Sequence, residues 1–112
     1  MTTISTIAVS GLRAAETRFA IRAENIANAN NNNNNNNAGY TALRAEQLST
    51  SVGPVVRVSK TDKPRPQETR QPDIDLAEEL AGLIAIKHDF RAAAKLLQTA
   101  DQVSGSLLDI LV

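Results

Sequence analysis

Residues 75–111 read DLAEELAGLIAIKHDFRAAAKLLQTADQVSGSLLDIL, and this stretch decides the fold. Positions Leu76, Glu79, Leu83, Ile86, Phe90, Ala93, Leu97, Ala100, Ser104, Leu107 and Leu111 alternate spacings of three and four, and nine of these eleven are apolar. That is a heptad seam on one face of a helix. Leu80, Ile84, Leu96, Val103, Leu108 and Ile110 widen the stripe beyond the seam. Asp75 followed by Glu78 has the form of a capping box, and an acidic first turn suits the helix dipole. No proline occurs after Pro72. At 1.5 Å per residue such a helix is roughly 55 Å long. Gly82 and Gly105 are expected soft points within it.

The other end of the chain carries a second seam. Met1, Ser5, Ala8, Leu12, Ala15, Phe19, Arg22, Ile26 and Ala29 follow the same spacing, and seven of these nine are apolar. Alanine favours helix, Gly11 weakens it locally, and Asn25, Asn28 and Asn30 favour turns and caps, so the helix should end near residue 30. Residues 31–37 are an unbroken Asn run, read as a spacer or as stand-in letters for unidentified residues. Tyr40–Leu48 and Val52–Lys60 are weakly β, with turn residues between them, and suggest a small hairpin. Residues 61–71 are rich in proline and charge and read as an extended linker.

The expected fold is therefore mainly α. Long N- and C-terminal helices (residues 1–30 and 73–112) form a coiled-coil-like hairpin, and residues 31–72 form an Asn-rich spacer with a small extended or β-hairpin middle, all in one domain. Two helices cannot cover a stripe this wide, so the remainder should meet helices of other copies or other proteins.

Composition narrows the chemistry. The chain has 112 residues, 12 basic and 12 acidic side chains, one His and no Cys. Disulfide scaffolds, thiol catalysis and cysteine-rich zinc sites are excluded. Zero net charge argues against a nucleic-acid binder. Residues 57–72 carry a net charge of +3 and residues 73–112 one of −4, a polarity that solvated faces explain. No apolar run is long enough to span a membrane. The apolar patch from Ile4 to Leu12 lacks a charged start, so a cleaved signal peptide is not expected. No phosphate loop, nucleophile elbow or metal-ligand spacing is present. His88 should face solvent, and Arg13, Arg18 and Arg22, interrupted by Glu16 and Glu24, should form a solvated face. Neither an enzyme nor a cofactor or metal site is expected.

Motifs at both ends point to a family. Ala8-Val9-Ser10-Gly11-Leu12-Arg13-Ala14-Ala15-Glu16-Thr17-Arg18 leads to Asn25-Ile26-Ala27-Asn28-Ala29-Asn30, and beyond the Asn run stands Ala38-Gly39-Tyr40. This resembles the start of bacterial flagellar rod and hook proteins, with a helix followed by N-N-I-A-N-A-N-T-P-G-Y. Asp75-Leu76-Ala77-Glu78-Glu79, Leu83-Ile84, Phe90-Arg91-Ala92-Ala93-Ala94-Lys95 and Thr99-Ala100-Asp101 resemble that family's C-terminal pattern V-D-L-x-x-E-x-x-x-L-I-x-x-Q-R-A-Y-x-A-N-x-K-x-I-x-T-A-D. The chain departs from it at Lys87-His88-Asp89, at Phe90 in place of Tyr and at Ala94 in place of Asn. Its short middle resembles a minimal, proximal-rod-like member.

The resemblance implies a structural subunit of the basal-body rod. Such a subunit would be exported unfolded through the flagellar type III apparatus without a cleaved signal peptide, and would assemble with copies of itself and other axial proteins. It implies no membrane insertion and no nucleic-acid partner. The expected assembly interface is Leu12, Ala15, Phe19, Ile26, Leu76, Leu83, Ile86, Phe90, Ala93, Leu97, Ala100, Leu107 and Leu111. A soluble helical-hairpin adaptor or secretion chaperone is the alternative.

Overall fold

The computed structural model describes residues 2–30, 40–61 and 74–111. The Asn run, Gly39 and all of the proposed linker except Thr61 lie outside them. Helix α1 spans Thr2–Ala27, strand β1 Leu43–Thr50, strand β2 Gly53–Lys60 and helix α2 Leu76–Leu111. The order helix, hairpin, helix is the expected one. The molecule is a rod of about 71 × 23 × 17 Å.

Both helices end for local chemical reasons. At the close of α1 the Asn28 amide N–H is shared between the carbonyls of Glu24 (3.1 Å) and Asn25 (3.2 Å), and Asn28 Nδ2 donates to the Glu24 carbonyl at 2.9 Å. The side-chain amide thus gives the Glu24 carbonyl, in the last turn, a second donor for its other lone pair. At the start of α2, Asp75 Oδ1 accepts from the N–H groups of Ala77 (2.9 Å) and Glu78 (3.3 Å), which is the N-cap geometry. Glu78 and Glu79 fill the first turn. The helix then runs 36 residues without a break at Gly82 or Gly105.

The helices are antiparallel, in a register set by three close approaches. A Cβ placed on Gly11 would lie 3.4 Å from the Ala93 Cβ, a Cβ on Gly82 would run into the Arg22 guanidinium, and Asn25 bonds to Glu79. The two residue numbers in each of these pairs add up to 104. The inward face of α1 therefore runs Gly11, Ala15, Arg18, Arg22 and Asn25. It keeps the spacing of the expected seam but is turned by one residue at several positions. Small residues let the helix backbones approach closely, so little apolar bulk is buried between them. The buried apolar residues among those described are eight, of which six are alanine and the other two are Ile21 and Ile86.

β1 and β2 pair antiparallel from Leu43↔Lys60 to Thr50↔Gly53, leaving Ser51-Val52 as a two-residue turn. The hairpin lies along α1. Its tip is fixed by Ser10 Oγ, which donates to the Pro54 carbonyl at 2.6 Å. Gly53 has φ of +119°, and a Cβ there would fall 2.7 Å from the Ser10 Cβ. Glycine is required twice over: by the backbone conformation and by the closeness of α1.

Replacing Gly53 with Ala should therefore cost about 1–3 kcal/mol. Gly105 is mid-helix with nothing within 4 Å, so Gly105→Ala should stabilise by about 0.5–1 kcal/mol. Denaturant unfolding followed by far-UV circular dichroism should move the two midpoints in opposite directions. Equal shifts of the same sign would contradict the account of the hairpin tip.

Candidate assembly site

Three segments meet at the side chain of Asn25, which is 2% exposed and the largest fully buried side chain among the described residues. Its Nδ2 donates to the Leu43 carbonyl (2.9 Å) and to Glu79 Oε1 (3.1 Å). Its Oδ1 accepts from the Leu43 N–H (2.9 Å) and from Tyr40 Oη (3.0 Å). A side-chain amide has two donor hydrogens and two acceptor lone pairs, and here all four are used. Towards Leu43 the amide behaves as a piece of neighbouring strand, exchanging both bonds with one residue. Asn25 thereby ties the end of α1, the start of β1 and the first turn of α2 together.

The carboxylate of Glu79 has a second partner, Arg22 Nη1 at 3.0 Å, and the same nitrogen reaches the Glu78 carbonyl at 3.4 Å. Further along, Arg18 Nη2 meets Asp89 Oδ2 at 2.8 Å. The expected solvated face of Arg13, Arg18 and Arg22 is corrected here. Arg13 is exposed, whereas the other two cross to α2, because the inward turn of α1 brings positions 18 and 22 over its acidic residues. The more exposed Arg18–Asp89 pair is worth at most about 1 kcal/mol. The Glu79 pair is better shielded, since its carboxylate side chain is only 13% exposed. Burial raises the pKa of the Tyr40 hydroxyl above its ordinary value, and the nearby carboxylates of Glu24 and Glu79 push it the same way. Tyr40 therefore stays a neutral donor well above neutral pH.

The expected interface residues fall into three groups. Ala15, Ile86 and Ala100 are buried between the helices of the one chain. Leu12, Ile26, Leu83, Ala93 and Leu97 are half-buried. Phe19, Leu76, Phe90, Leu107 and Leu111 are exposed. Among the motif residues, Asn25 and Ala29 are buried, Ile26, Asn28 and Tyr40 are half-buried, and Ala27, Asn30, Thr99 and Asp101 are exposed. Thr99 Oγ1 bonds only within its helix, to the Lys95 carbonyl at 2.9 Å. His88 is exposed, as expected.

Sequence reasoning missed the partnership of Asn25 with Glu79. Glu79 registered only as a polar interruption of the apolar seam, and Asn25 only as a helix terminator. The available signal was joint: an Asn inside a helical pattern and a carboxylate on the facing seam can satisfy each other.

A concavity of about 740 Å³ lies between α1, β1 and α2 and is open and polar. Arg18, Arg22, Asp75, Glu78 and Glu79 line it, and most of this charge is already committed to pairs or caps. No group of three or more His, Asp or Glu able to hold a metal occurs among the described residues. No helix among them is long and apolar enough to cross a membrane.

Fold and site together define an extended helical hairpin whose buried polar groups hold the hairpin together and whose large apolar groups point outward. Residues 69–110 match the family model described as flagellar basal body rod FlgEFG protein C-terminal. This segment is similar to the C-terminal part of the flagellar rod proteins, in agreement with the resemblance carried by the motifs from Asp75 to Asp101. That family is a structural component of the flagellum, and the match supports an axial structural role and a flagellar location. No curated protein matches the chain.

Asn25→Ala leaves the Leu43 N–H and carbonyl and Glu79 short of partners, and should cost at least about 2 kcal/mol. Tyr40→Phe removes one bond and should cost about 0.5–1.5 kcal/mol. The pair of changes should be less than additive in denaturant unfolding, because both act on one network.

The raised pKa of Tyr40 has a definite sign. The fold prefers the protonated phenol, so this contribution to stability is intact below the unfolded value near 10 and is lost as pH rises through the folded value. Since Tyr40 is the sole tyrosine, absorbance at 295 nm reads its titration directly, with an expected midpoint above that of free tyrosine. Tyr40→Phe should flatten the alkaline fall in stability. A midpoint at or below the free value would refute the buried donor role.

Proposed function

We propose that this chain is a structural subunit of the bacterial flagellar basal-body rod, and that it assembles through faces of its terminal helices left uncovered in the single chain. The observation carrying this reading is the distribution of apolar bulk along α2. Leu76, Leu80 and Ile84 recur every fourth residue and are all exposed, as are Leu96, Val103, Leu107, Leu108, Ile110 and Leu111. A lone soluble helix pair keeps such residues in its core, whereas here alanines occupy it. Exposure on this scale marks an interaction surface.

The partners in this reading are copies of the chain and other axial proteins, met after export through the flagellar type III apparatus without a cleaved signal peptide. Rigidity under torque comes from long helices interlocked side by side. The half-buried Leu12, Ile26, Leu83 and Leu97 and the exposed Phe19, Phe90, Leu107 and Leu111 are the residues available to neighbouring helices. The small core also suits a subunit that completes its folding on assembly, since the surface buried by one chain is modest.

Light scattering and circular dichroism over a concentration series test this reading. The expected outcome is a monomer at low concentration that gains mass and helix together as concentration rises. Ile84→Asp, at a position 64% exposed, should leave the helix content of the dilute chain unchanged and weaken association by tenfold or more, about 1.4 kcal/mol. A fixed dimer, fully helical at every concentration, would overturn the rod reading in favour of an adaptor or chaperone.

A further inference from the structure

The register of the helix pair leaves one end of α2 without a partner. Paired positions add up to 104, so the first residue of α1, Thr2, stands opposite residue 102. Everything in α2 beyond that point projects past α1. A Cβ on Gly105 would meet nothing within 4 Å. In this overhang Leu107, Leu108, Ile110 and Leu111 are 50%, 65%, 80% and 83% exposed. The overhang continues the seam of Ala93, Leu97 and Ala100 by the same spacing, through Ser104 and Leu107 to Leu111. It is therefore a packing face with no helix opposite it.

A complementary surface exists elsewhere on the molecule. A groove of about 610 Å³ runs between α1 and the hairpin tip, floored by Ser10 and Ala14 and walled by Val9, Val52 and Val55. Val9, Val52 and Val55 are each more than a third exposed. Along α1 the groove extends from Ser5 to Thr17, which is roughly 18 Å. The overhang, residues 103–111, is roughly 13 Å long and fits that length. One charged side chain, Arg13, lines the groove. One charged side chain, Asp109, lies in the overhang. Neither has an ion-pair partner among the described residues. The groove lies on the Ser10–Ala14–Thr17 side of α1, whereas α2 packs on the Gly11–Ala15–Arg18 side and runs straight past the end. A chain cannot fill its own groove with its own overhang.

We propose that the overhanging end of α2 of one copy docks in the groove between α1 and the hairpin tip of the next, with Asp109 opposite Arg13. This rests on the self-associating role proposed above and names the two surfaces that meet. The contact joins unlike patches, so each added copy offers a fresh groove and a fresh overhang. Such a contact builds a filament unless its rotation happens to close a ring.

The chain contains no cysteine, so introduced thiols report the contact without background. Val55→Cys and Ile110→Cys both fall at exposed positions where the fold tolerates them. Under mild oxidation at associating concentrations, a mixture of the two single variants should give a covalent dimer of one Val55→Cys chain with one Ile110→Cys chain. The chain carrying both changes should give a ladder. As a second test, Arg13→Asp and Asp109→Arg should each raise the concentration needed for association several-fold, and the two together should restore it. Association that persists while only like-with-like disulfides form, or none, would overturn the docking and leave the rod reading standing. The same holds if the charge reversals have no effect. A chain that stays monomeric throughout would overturn both.

Discussion

The fold depends on one side chain finding all its partners at once. Asn25 sits where α1, β1 and α2 converge, out of contact with water, and a buried amide with open hydrogen-bonding capacity costs roughly twice what a made bond contributes. The geometry meets that demand by placing the N–H and carbonyl of Leu43 on one side, the Tyr40 hydroxyl above and the Glu79 carboxylate on α2. No similar residue substitutes. Asp has the shape but no donor for Leu43 or Glu79, and would add a charge beside Glu24 and Glu79. Gln has the groups, but one methylene too many to hold them in the strand-like position. The hairpin touches α1 along its length but is joined to α2 through this amide. The orientation of the three elements is thus set by polar geometry as much as by apolar contact.

Alanine explains the rest of the architecture. With Gly11, Ala15, Ala93 and Ala100 at or near the helix interface, the backbones come close, and close backbones leave no room for leucine between them. Burial is worth about 25 cal/mol per Å² of apolar surface, so a core of alanines stabilises a pair of helices weakly. Arg18–Asp89 and Arg22–Glu79 help to fix the register, and the more exposed Arg18–Asp89 pair adds little stability. The large aliphatics of α2 are thereby left on its outer faces and its free end. A narrow inner interface and a wide exposed apolar face are consequences of one choice of residues.

Much of this was legible in the sequence, and the misses share a cause. The seam from Leu76 to Leu111 located α2, Asp75 marked its start through a cap now seen in the hydrogen bonds, and the turn residues around Ser51 located the hairpin. The face of α1 was harder to read. Counting apolar residues favoured the line through Leu12, Phe19 and Ile26, whereas the inward line runs through Gly11, Arg18, Arg22 and Asn25. Periodicity scores apolar bulk, and this interface is built from the smallest side chains and from charges that neutralise one another across the gap. Phe19 is too large for such a gap and turns outward, 53% exposed. Asn25 stood in the motif that carried the family resemblance, yet its chemistry became visible only when Glu79, more than fifty residues away, came within bonding distance.

The two helices are of unequal length, 26 and 36 residues, and this inequality shapes what the chain can do alone. In an antiparallel pair with register fixed at one end by Asn25 and Glu79, all the excess of α2 must appear at the other end. The seam on that excess retains its aliphatic residues although α1 does not reach them. Had the register been free, sliding the helices would have covered part of it, at the expense of the Asn25 bonds and the Arg22 pair. The polar network forbids that slide. The bonds that make the single chain specific therefore also keep its apolar end uncovered, and that end is the surface the proposed docking would cover. A chain built this way is specific within itself and leaves an apolar edge exposed.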